Sequence, residues 1–295
     1  MADVIQLSDE VASALAERRP VVALETTLVA HGFPAPEGVE VGLESEHRVR
    51  EAGAVPATIG VLDGAIRVGL DEESLHRFIP AARKLGPRDL AACVVQRAVG
   101  ATTVGGTLAV MRATGIGFLG TGGLGGVHRG FPNPPDVSAD LGELTRAQAL
   151  VVSSGVKSLL DVGATIELLE TLGIPVLGYR CDTLPLFYSA HGGPSLAARV
   201  EDAPEAARVV EAHWSLHRAS VLLCRPPSES LEVEPLIEEA VTEARERRIT
   251  GQQVTPFVLS FLHERSAGAT MQVNRSLIAD NAGLAAEVAA AYAAL

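Results

Sequence analysis

Two residues placed directly after apolar stretches carry groups that could do covalent chemistry. Glu25 closes the apolar run in VALETTLVAHG, and Lys157 follows the apolar run in VVSSGVKSLLD. A carboxyl group at the end of a buried strand is placed for proton transfer, because burial raises its affinity for the proton. We expect Lys157 at the start of a helix, where an ammonium ion is disfavoured and the amine can attack a carbonyl carbon.

Both residues also have ordinary interpretations. Taken alone, Glu25 is better explained as a solvated residue at a strand end, and nearby His31 as a hydrogen-bonded structural histidine. Lys157 could instead extend to solvent or bind a phosphate. The residues by themselves leave the two interpretations of Lys157 evenly balanced.

Basic residues lie next to a predicted helix start in RKLGPRDL. Lys84 and Arg88 flank a turn, and Pro87 suits the first position of a helix, so the positive end of that helix could hold a phosphate with them. The following GATTVGGTLAV, which contains Val104, offers further backbone amides. From the residues alone, a solvated basic turn is the favoured alternative.

The densest pattern is GIGFLGTGGLGGVHRG, with G-x-G-x-x-G at Gly120, Gly122 and Gly125. A dinucleotide fingerprint runs directly into a helix, whereas His128, Arg129 and a proline-rich stretch follow here. The pattern therefore gives weak support to a nicotinamide oxidoreductase. It indicates instead glycines that let the backbone approach a small ligand.

Acidic residues follow the proline-rich stretch in DVSADL. Asp136 and Asp140 flank Ser138, and any of the three could cap the next helix. Two carboxylates beside a glycine-rich loop could instead serve a hard divalent ion and a sugar hydroxyl. A metal held by one aspartate would need water molecules to complete its coordination.

These residues are joined by a repeated alternation of short apolar runs and helical patterns, which predicts a largely parallel sheet. The predicted strands are Pro20–Glu25, Val55–Leu62, and the runs that begin at Ile116, Ala149, Ile174 and Ala219. Helix starts are indicated at Asp202 and at Pro256, and a closing helix over Gln272–Leu295. We predict an α/β fold of three α/β/α layers with a largely parallel or mixed central sheet, as one domain over residues 1–295.

Composition excludes several classes of protein. A formal net charge of -12 argues against wholesale nucleic-acid binding, since a phosphate-tracking surface needs excess Lys and Arg. Cys93, Cys181 and Cys224 are odd in number and far apart, which is typical of reduced core residues. The amino-terminal stretch does not resemble a secretory signal, and no apolar run is long enough to suggest a membrane span. We expect a cytoplasmic protein that binds neither membranes nor nucleic acid.

Several motifs together resemble the pseudouridine-5'-phosphate glycosidase family, from about Pro20 to the carboxyl terminus. They are VALETTLVAHG, GAVPATIGVLDG, GATTVGGT, TGGLGGVHRG, DVSADL, SSGVKSLLDVGAT and LETLGIPVLGY. Their order and spacing, including the interval from Asp140 to Lys157, make the resemblance more specific than any single motif.

The resemblance implies roles for individual residues. Glu25 corresponds to the proton donor, Lys157 to the nucleophile, and Asp136 to the carboxylate near one largely water-coordinated Mn²⁺ per subunit. The implied substrate-binding residues are Lys84, Val104, Ser138, Ala139, Asp140, His128, Arg129 and Asn281, the last near the base. The resemblance also implies a homotrimer that binds only small-molecule substrates, namely pseudouridine 5'-phosphate, uracil and ribose 5-phosphate.

The implied reaction is the reversible cleavage of pseudouridine 5'-phosphate in pseudouridine catabolism. Because uracil leaves through carbon, direct departure is unfavourable, and a two-carboxylate glycosidase scheme gives Lys157 no role. A covalent lysine adduct of ring-opened ribose avoids this difficulty. The alternatives are an aldolase-like lyase acting on another phosphorylated sugar and a noncatalytic sugar-phosphate sensor.

Overall fold

The computed structural model describes residues 4–79, 82–133, 135–249 and 251–295. The strands are β1 (Ile5–Leu7), β2 (Val21–Glu25), β3 (Val55–Leu62), β4 (Ala65–Val68), β5 (Arg83–Leu85), β6 (Gly100–Thr102), β7 (Phe118–Gly120), β8 (Val127–His128), β9 (Leu150–Ser153), β10 (Leu160–Asp161), β11 (Val176–Tyr179), β12 (Ala198–Val200) and β13 (Val221–Cys224). The α-helices are α1 (Asp9–Ala16), α2 (Glu37–Glu51), α3 (Glu72–His76), α4 (Leu90–Val95), α5 (Val104–Thr114), α6 (Ala139–Leu144), α7 (Val162–Thr171), α8 (Ala203–Leu216), α9 (Glu234–Glu246), α10 (Val254–Arg265) and α11 (Ala269–Ala293). A π-helix spans Leu28–Gly32, and 3₁₀ turns span Pro87–Asp89 and Gly251–Gln253.

One large mixed sheet organises the fold. Its order is β1-β4-β3-β2-β7-β9-β13-β11-β12, and β5 and β6 extend it beside β3. The pairs from β3 through β2, β7, β9, β13 and β11 to β12 are parallel, and β3 pairs antiparallel with both β4 and β6. The strand order reverses at β2 and β7, and such a switch point in a parallel sheet opens a crevice at the carboxyl ends of the strands.

The central strands are buried on both faces, because side chains alternate between two cores. Val22 and Leu24 of β2 belong to a core shared with α8 and α11, whereas Val21 and Ala23 belong to a core shared with α1, α5 and α7. Gly120 lets α11 approach β7, since a Cβ there would lie 2.6 Å from the Cα of Ala282. The predicted three-layer α/β/α fold with a mixed, mainly parallel sheet is confirmed.

All six strands expected from apolar runs are present, whereas two of the expected helix starts differ from the structure. Asp202 caps α8 as predicted, with its side chain accepting from the amide of Glu205. The closing helix was expected from Gln272, but α11 begins at Ala269 behind Gly268. The start expected at Pro256 is also wrong, because α10 already begins at Val254.

A second, two-stranded sheet shapes the loops above the main one. Antiparallel β8 and β10 pair Leu160 with His128 and Asp161 with Val127. This pairing ties the segment after β9, which contains Lys157, to the segment after the glycine-rich loop. Among the described helices, none has the length and apolar character needed to cross a membrane.

Candidate active site

A cavity of about 850 Å³ opens at the carboxyl ends of β2 and β7, where the strand order reverses. Its lining includes most of the residues singled out by the sequence. These are Glu25, Lys84, Val104, His128, Asp136, Ser138, Ala139, Asp140 and Lys157. Residues separated by up to 132 positions along the chain therefore meet in one place.

Glu25 is the buried acid of this cavity. It is the last residue of β2 and only 4% exposed, and the hydroxyl of Thr121 donates a hydrogen bond to its Oε1 at 2.5 Å. Burial raises the pKa of Glu25 above its ordinary value, while the charge of Lys157 and the Thr121 hydrogen bond oppose that shift. Glu25 therefore keeps its proton to a higher pH than an exposed glutamic acid.

The chain contains two lysines, Lys84 and Lys157, and both line this cavity. Burial and the nearby charge of Lys157 lower the pKa of Lys84 to about 8, although Asp140 and Glu25 oppose that shift. Every other permanent side-chain cation is an arginine. The amine chemistry available to side chains of this protein is thus confined to one site.

The loop that carries Lys157 differs from the sequence-based expectation. Lys157 was predicted at a helix start, but α7 begins only at Val162, behind a turn and β10. The amide of Lys157 donates to the carbonyl of Leu124, and its side chain packs beside Gly123. Backbone pairing with the glycine-rich loop, rather than a helix dipole, positions this lysine.

Arg129 supports the same loop from outside the cavity. Its guanidinium donates to the carbonyl of Ser158 at 2.7 Å and to that of Leu160 at 3.3 Å, and it pairs with Glu234. Arg129 was predicted as a substrate contact, but these partners direct its guanidinium away from the cavity. It stabilises the segment that follows Lys157.

Asp140 joins two loops at the rim of the cavity. Its Oδ1 accepts from the amide of Gly105 at 2.8 Å and its Oδ2 from that of Gly125 at 3.0 Å. Gly125 permits this approach, because a Cβ there would lie 2.7 Å from Oδ2. The helix that Asp140 enters is capped by Ser138, whose Oγ accepts from the Asp140 amide.

We expect Asp140→Asn to lower the melting temperature by several degrees. An asparagine offers one acceptor oxygen, so one of the two loop amides would face an NH₂ group and lose a charge-assisted bond. Such a loss costs on the order of 1.5–3 kcal/mol. Thermal unfolding followed by circular dichroism measures the change.

Asp161→Asn provides the control. Asp161 caps α7 by accepting from the amide of Ala164, and asparagine caps helices equally well. Its melting temperature should stay near that of the wild type. If Asp140→Asn melts at the same temperature as this control, the two-loop bridge contributes nothing to stability.

His128 and Asp136 form a polar pair beside the lysines. Nδ1 of His128 lies 3.8 Å from Oδ2 of Asp136, and the amide of His128 donates to the carbonyl of Asp136. Burial lowers the pKa of His128, as do Lys84 and Lys157, while Asp136 opposes that shift. A neutral imidazole can still donate one hydrogen bond to an anion.

Asn281 does not line the cavity. It is fully buried on α11, where its Nδ2 donates to the carbonyl of Thr121 at 2.8 Å and to Oγ of Ser154 at 3.1 Å. The prediction of a base contact does not fit this placement. Asn281 instead connects the end of β7 with the end of β9. Thr121, which donates to Glu25, follows β7, and the loop with Lys157 follows β9.

For three residues of the site, the sequence analysis predicted no catalytic or binding role. Thr121 contacts Glu25, and His31 and Asn274 line the cavity. Thr121 belongs to the glycine-rich pattern. Its position directly after a predicted strand could have indicated that it lies in the site. His31 was assigned a structural role, and Asn274 lies on a long helix where no spacing distinguishes it.

Comparisons with known proteins identify the family of this chain. The family described as indigoidine synthase A like protein matches residues 10–291. A pseudouridine-5'-phosphate glycosidase of Herpetosiphon aurantiacus is 45% identical, with 97% of both chains covered. One of Geobacillus kaustophilus is 42% identical, covering 98% of this chain and 99% of the relative.

Solved structures show the same fold. A prealnumycin C-glycosynthase in complex with ribulose 5-phosphate superposes with a TM-score of 0.90 at 38% identity, covering 100% of this chain and 98% of the other. An indigoidine synthase A-like protein of Thermotoga maritima gives 0.88 at 36% identity, covering 97% and 96%. The predicted resemblance is confirmed, and the chain belongs to the indigoidine synthase A-like family that includes the pseudouridine-5'-phosphate glycosidases.

Proposed function

We propose that this protein cleaves the carbon–carbon glycosidic bond of pseudouridine 5'-phosphate reversibly, giving uracil and ribose 5-phosphate through an adduct with Lys157. The observation that carries the proposal is the meeting of a buried acid, Glu25, with the two lysines of the chain in one cavity. The names of the full-length relatives and the sugar phosphate bound by one solved neighbour support the choice of substrate.

In the first step the amine of Lys157 forms a bond to C1 of the ribose while the bond from C1 to the ring oxygen breaks. The ring oxygen becomes a hydroxyl by taking up a proton that the attacking amine gives up, so the nitrogen keeps an electron pair, and the base stays attached to C1. The attack requires an unprotonated amine and a fixed approach. Pairing of the Lys157 amide with Leu124, and the support from Arg129, hold the loop for that approach.

In the second step Glu25 delivers a proton to the base carbon as the carbon–carbon bond breaks. The nitrogen of the adduct supplies the electron pair that forms the carbon–nitrogen double bond of an iminium. Water then adds to C1 and releases ribose 5-phosphate from Lys157. Glu25 suits the acid role because burial raises its pKa.

The phosphate of the substrate would lie near Lys84 and His128. The backbone amides around Val104 and Ala139 would contact the sugar. The net charge of -12 makes a local cationic pocket necessary for an anionic ligand. Binding of a group remote from C1 positions the sugar and discriminates against the unphosphorylated nucleoside. Arg88 also lines the cavity, but its side chain is 85% exposed.

We also propose one Mn²⁺ per subunit, held by Asp136. No group of three acidic, histidine or cysteine ligands occurs in the part of the chain that the structure describes. Both carboxylate oxygens of Asp140 are already hydrogen-bonded to backbone. The single half-buried carboxylate of Asp136 suits an ion that keeps most of its water ligands. The ion would offset part of the negative charge of the substrate phosphate. The homotrimer and the cytoplasmic location remain proposals by family resemblance.

Incubation of the purified protein with pseudouridine 5'-phosphate and Mn²⁺ tests the proposed function. Free uracil and ribose 5-phosphate should appear in equal amounts. An aldolase-like lyase would release another carbonyl product and no uracil, and a noncatalytic sensor would bind the nucleotide without turnover. Either of these outcomes would overturn the proposal.

Removal of the Thr121 hydroxyl should move the pH dependence of activity. The hydroxyl stabilises the charged form of Glu25, so Thr121→Val should raise the pKa of that carboxyl. A proton donor loses activity as the pH rises through its pKa. The alkaline limb of uracil release should therefore move to higher pH in the variant, as initial rates across a pH series would show.

A matched threonine serves as the control. The hydroxyl of Thr58 donates to Glu46 in the same way, but Glu46 lies outside the cavity lining. Thr58→Val should leave the alkaline limb where it is in the wild type. If the pH profile of Thr121→Val coincides with those of the wild type and Thr58→Val, the pKa of Glu25 does not determine the alkaline limb.

A further inference from the structure

Two arginines, Arg112 and Arg146, lie at the mouth of the cavity. Both line it, yet their side chains are 52% and 65% exposed. Within the residues that the structure describes, the only partner of either side chain is Glu143. A guanidinium carries five N–H donors. Most of these donors therefore remain available to an anion that approaches the cavity.

Both arginines are anchored by the same buried carboxylate. Glu143 of α6 is only 2% exposed and lines the cavity. Its Oε1 accepts from Nη1 of Arg146 at 2.9 Å, and its Oε2 lies 3.9 Å from Nε of Arg112, which belongs to α5. A carboxylate in the interior needs cationic partners, because an unpaired buried charge is costly. Glu143 therefore holds two long side chains at one place on the rim.

The two arginines lie apart from the groups that would hold the bound sugar. Arg112 follows Val104 by eight residues on α5, and a helix rises 1.5 Å per residue, so these positions are about 12 Å apart. Ala109 of α5 and Gly142 of α6 line the cavity between them, and a Cβ at Gly142 would meet no atom within 4 Å. The cavity therefore continues past small residues from the reacting groups to the arginines.

The charge of the protein opposes the approach of an anionic substrate. The formal net charge is -12, and a phosphate monoester carries about −1.5 to −2 at neutral pH. Arg88 also lines the cavity, but Asp89 lies 3.4 Å from its Nε and offsets its charge. Arg112 and Arg146 together keep a positive charge after Glu143 is counted. Cations at the mouth of a cleft raise the local concentration of anions.

We propose that Arg112 and Arg146 form a cationic entrance that draws the phosphate of the substrate into the cavity. This inference rests on the proposed function. The entrance acts on phosphate monoesters of sugars and nucleosides through their charge, and uracil gains nothing from it because uracil is uncharged. The attraction acts across water over a distance on the order of 12 Å, so salt weakens it.

Calorimetric titration with ribose 5-phosphate tests the entrance. The double variant Arg112→Gln/Arg146→Gln removes both charges, and the new glutamine at position 146 can still donate to Glu143. At an ionic strength of about 0.01 M, the Kd should rise by about 3-fold to 10-fold, the effect of two unit charges on a dianion at this separation. At about 1 M, where charges are screened within about 3 Å, the Kd values of the variant and the wild type should coincide.

Two further double variants separate a local charge from the net charge of the protein. Arg112→Lys/Arg146→Lys keeps both charges and should bind ribose 5-phosphate as the wild type does. Arg199→Gln/Arg208→Gln removes two charges from exposed arginines outside the cavity lining, so its Kd should stay within about 2-fold of the wild-type value. If this variant loses as much affinity as Arg112→Gln/Arg146→Gln, only the net charge matters and the entrance is refuted.

Kinetics in the synthetic direction show whether the effect is confined to the charged substrate. In Arg112→Gln/Arg146→Gln, the KM for ribose 5-phosphate should rise at low salt, whereas the KM for uracil should keep its wild-type value. An unchanged Kd for ribose 5-phosphate, a loss that persists at high salt, or an equal rise of both KM values would overturn the proposal. If the wild type neither releases nor uses uracil, the proposed function fails, and the salt dependence of ribose 5-phosphate binding still tests the entrance.

Discussion

Replacement of Lys157 by alanine should reduce uracil release by at least about 10⁴-fold, because it removes the group that we propose forms a bond to the sugar. The fold should persist. The hydrogen bonds of this segment with Leu124 and Arg129 use backbone groups that alanine retains. Initial rates of uracil release, with circular dichroism to verify folding, measure the effect.

The two-lysine composition makes the adduct easy to locate. Borohydride reduction in the presence of ribose 5-phosphate should add one sugar phosphate to Lys157, which peptide mass spectrometry distinguishes from Lys84 and the amino terminus. Lys84→Ala should still be trapped, although with weaker sugar-phosphate binding. Trapping at Lys84 in the wild type, or full activity in Lys157→Ala, would exclude the proposed nucleophile.

The sheet was predictable because its central strands are buried on both faces. Val55–Leu62 and Leu150–Ser153 are mainly apolar and buried at every position, as expected of strands covered by two layers. The short edge strands β1, β5 and β12 carry half-exposed or exposed residues and have no such pattern. Their pairing depends on tertiary contacts that local sequence does not encode.

The composition of the site was more predictable than its internal geometry. Glu25 closes an apolar run, Lys157 follows one, and Asp136 follows the proline-rich stretch. The family resemblance then implied a role for each of them. The sequence could not reveal that Arg129 turns to the carbonyls of Ser158 and Leu160, since a guanidinium in a loop can reach either side. Nor could it separate Asn274, which lines the cavity, from Asn281, which does not.

The charged groups of the cavity influence one another's pKa values. Burial raises the pKa of Glu25, and burial together with the charge of Lys157 lowers the pKa of Lys84 to about 8. Each amine favours the charged form of the acid, and Asp140 favours its neutral form. Any substrate that brings a phosphate close to Lys84 will therefore change the charge balance around Glu25 before reaction. The pH dependence of turnover should therefore reflect all of these interacting side chains together, rather than one residue.

Glu25→Gln should lower uracil release by about 10² to 10⁴-fold, the usual contribution of a positioned proton donor. Glutamine can still accept the hydrogen bond from Thr121, so the packing at the end of β2 should persist. The amide cannot deliver a proton to the base carbon. Trapping of ribose 5-phosphate on Lys157 needs no such proton and should survive, which separates the second step from the first.

Glu46→Gln is the appropriate comparison, because half-buried Glu46 also accepts a hydrogen bond from a threonine, and burial also raises its pKa. It lies outside the cavity lining, so uracil release should remain at the wild-type level. The alkaline limb of the pH profile should persist in Glu46→Gln and vanish from the residual activity of Glu25→Gln. If that limb survives in Glu25→Gln, another group provides the proton, and the arrangement of Glu25 and Thr121 serves only the fold.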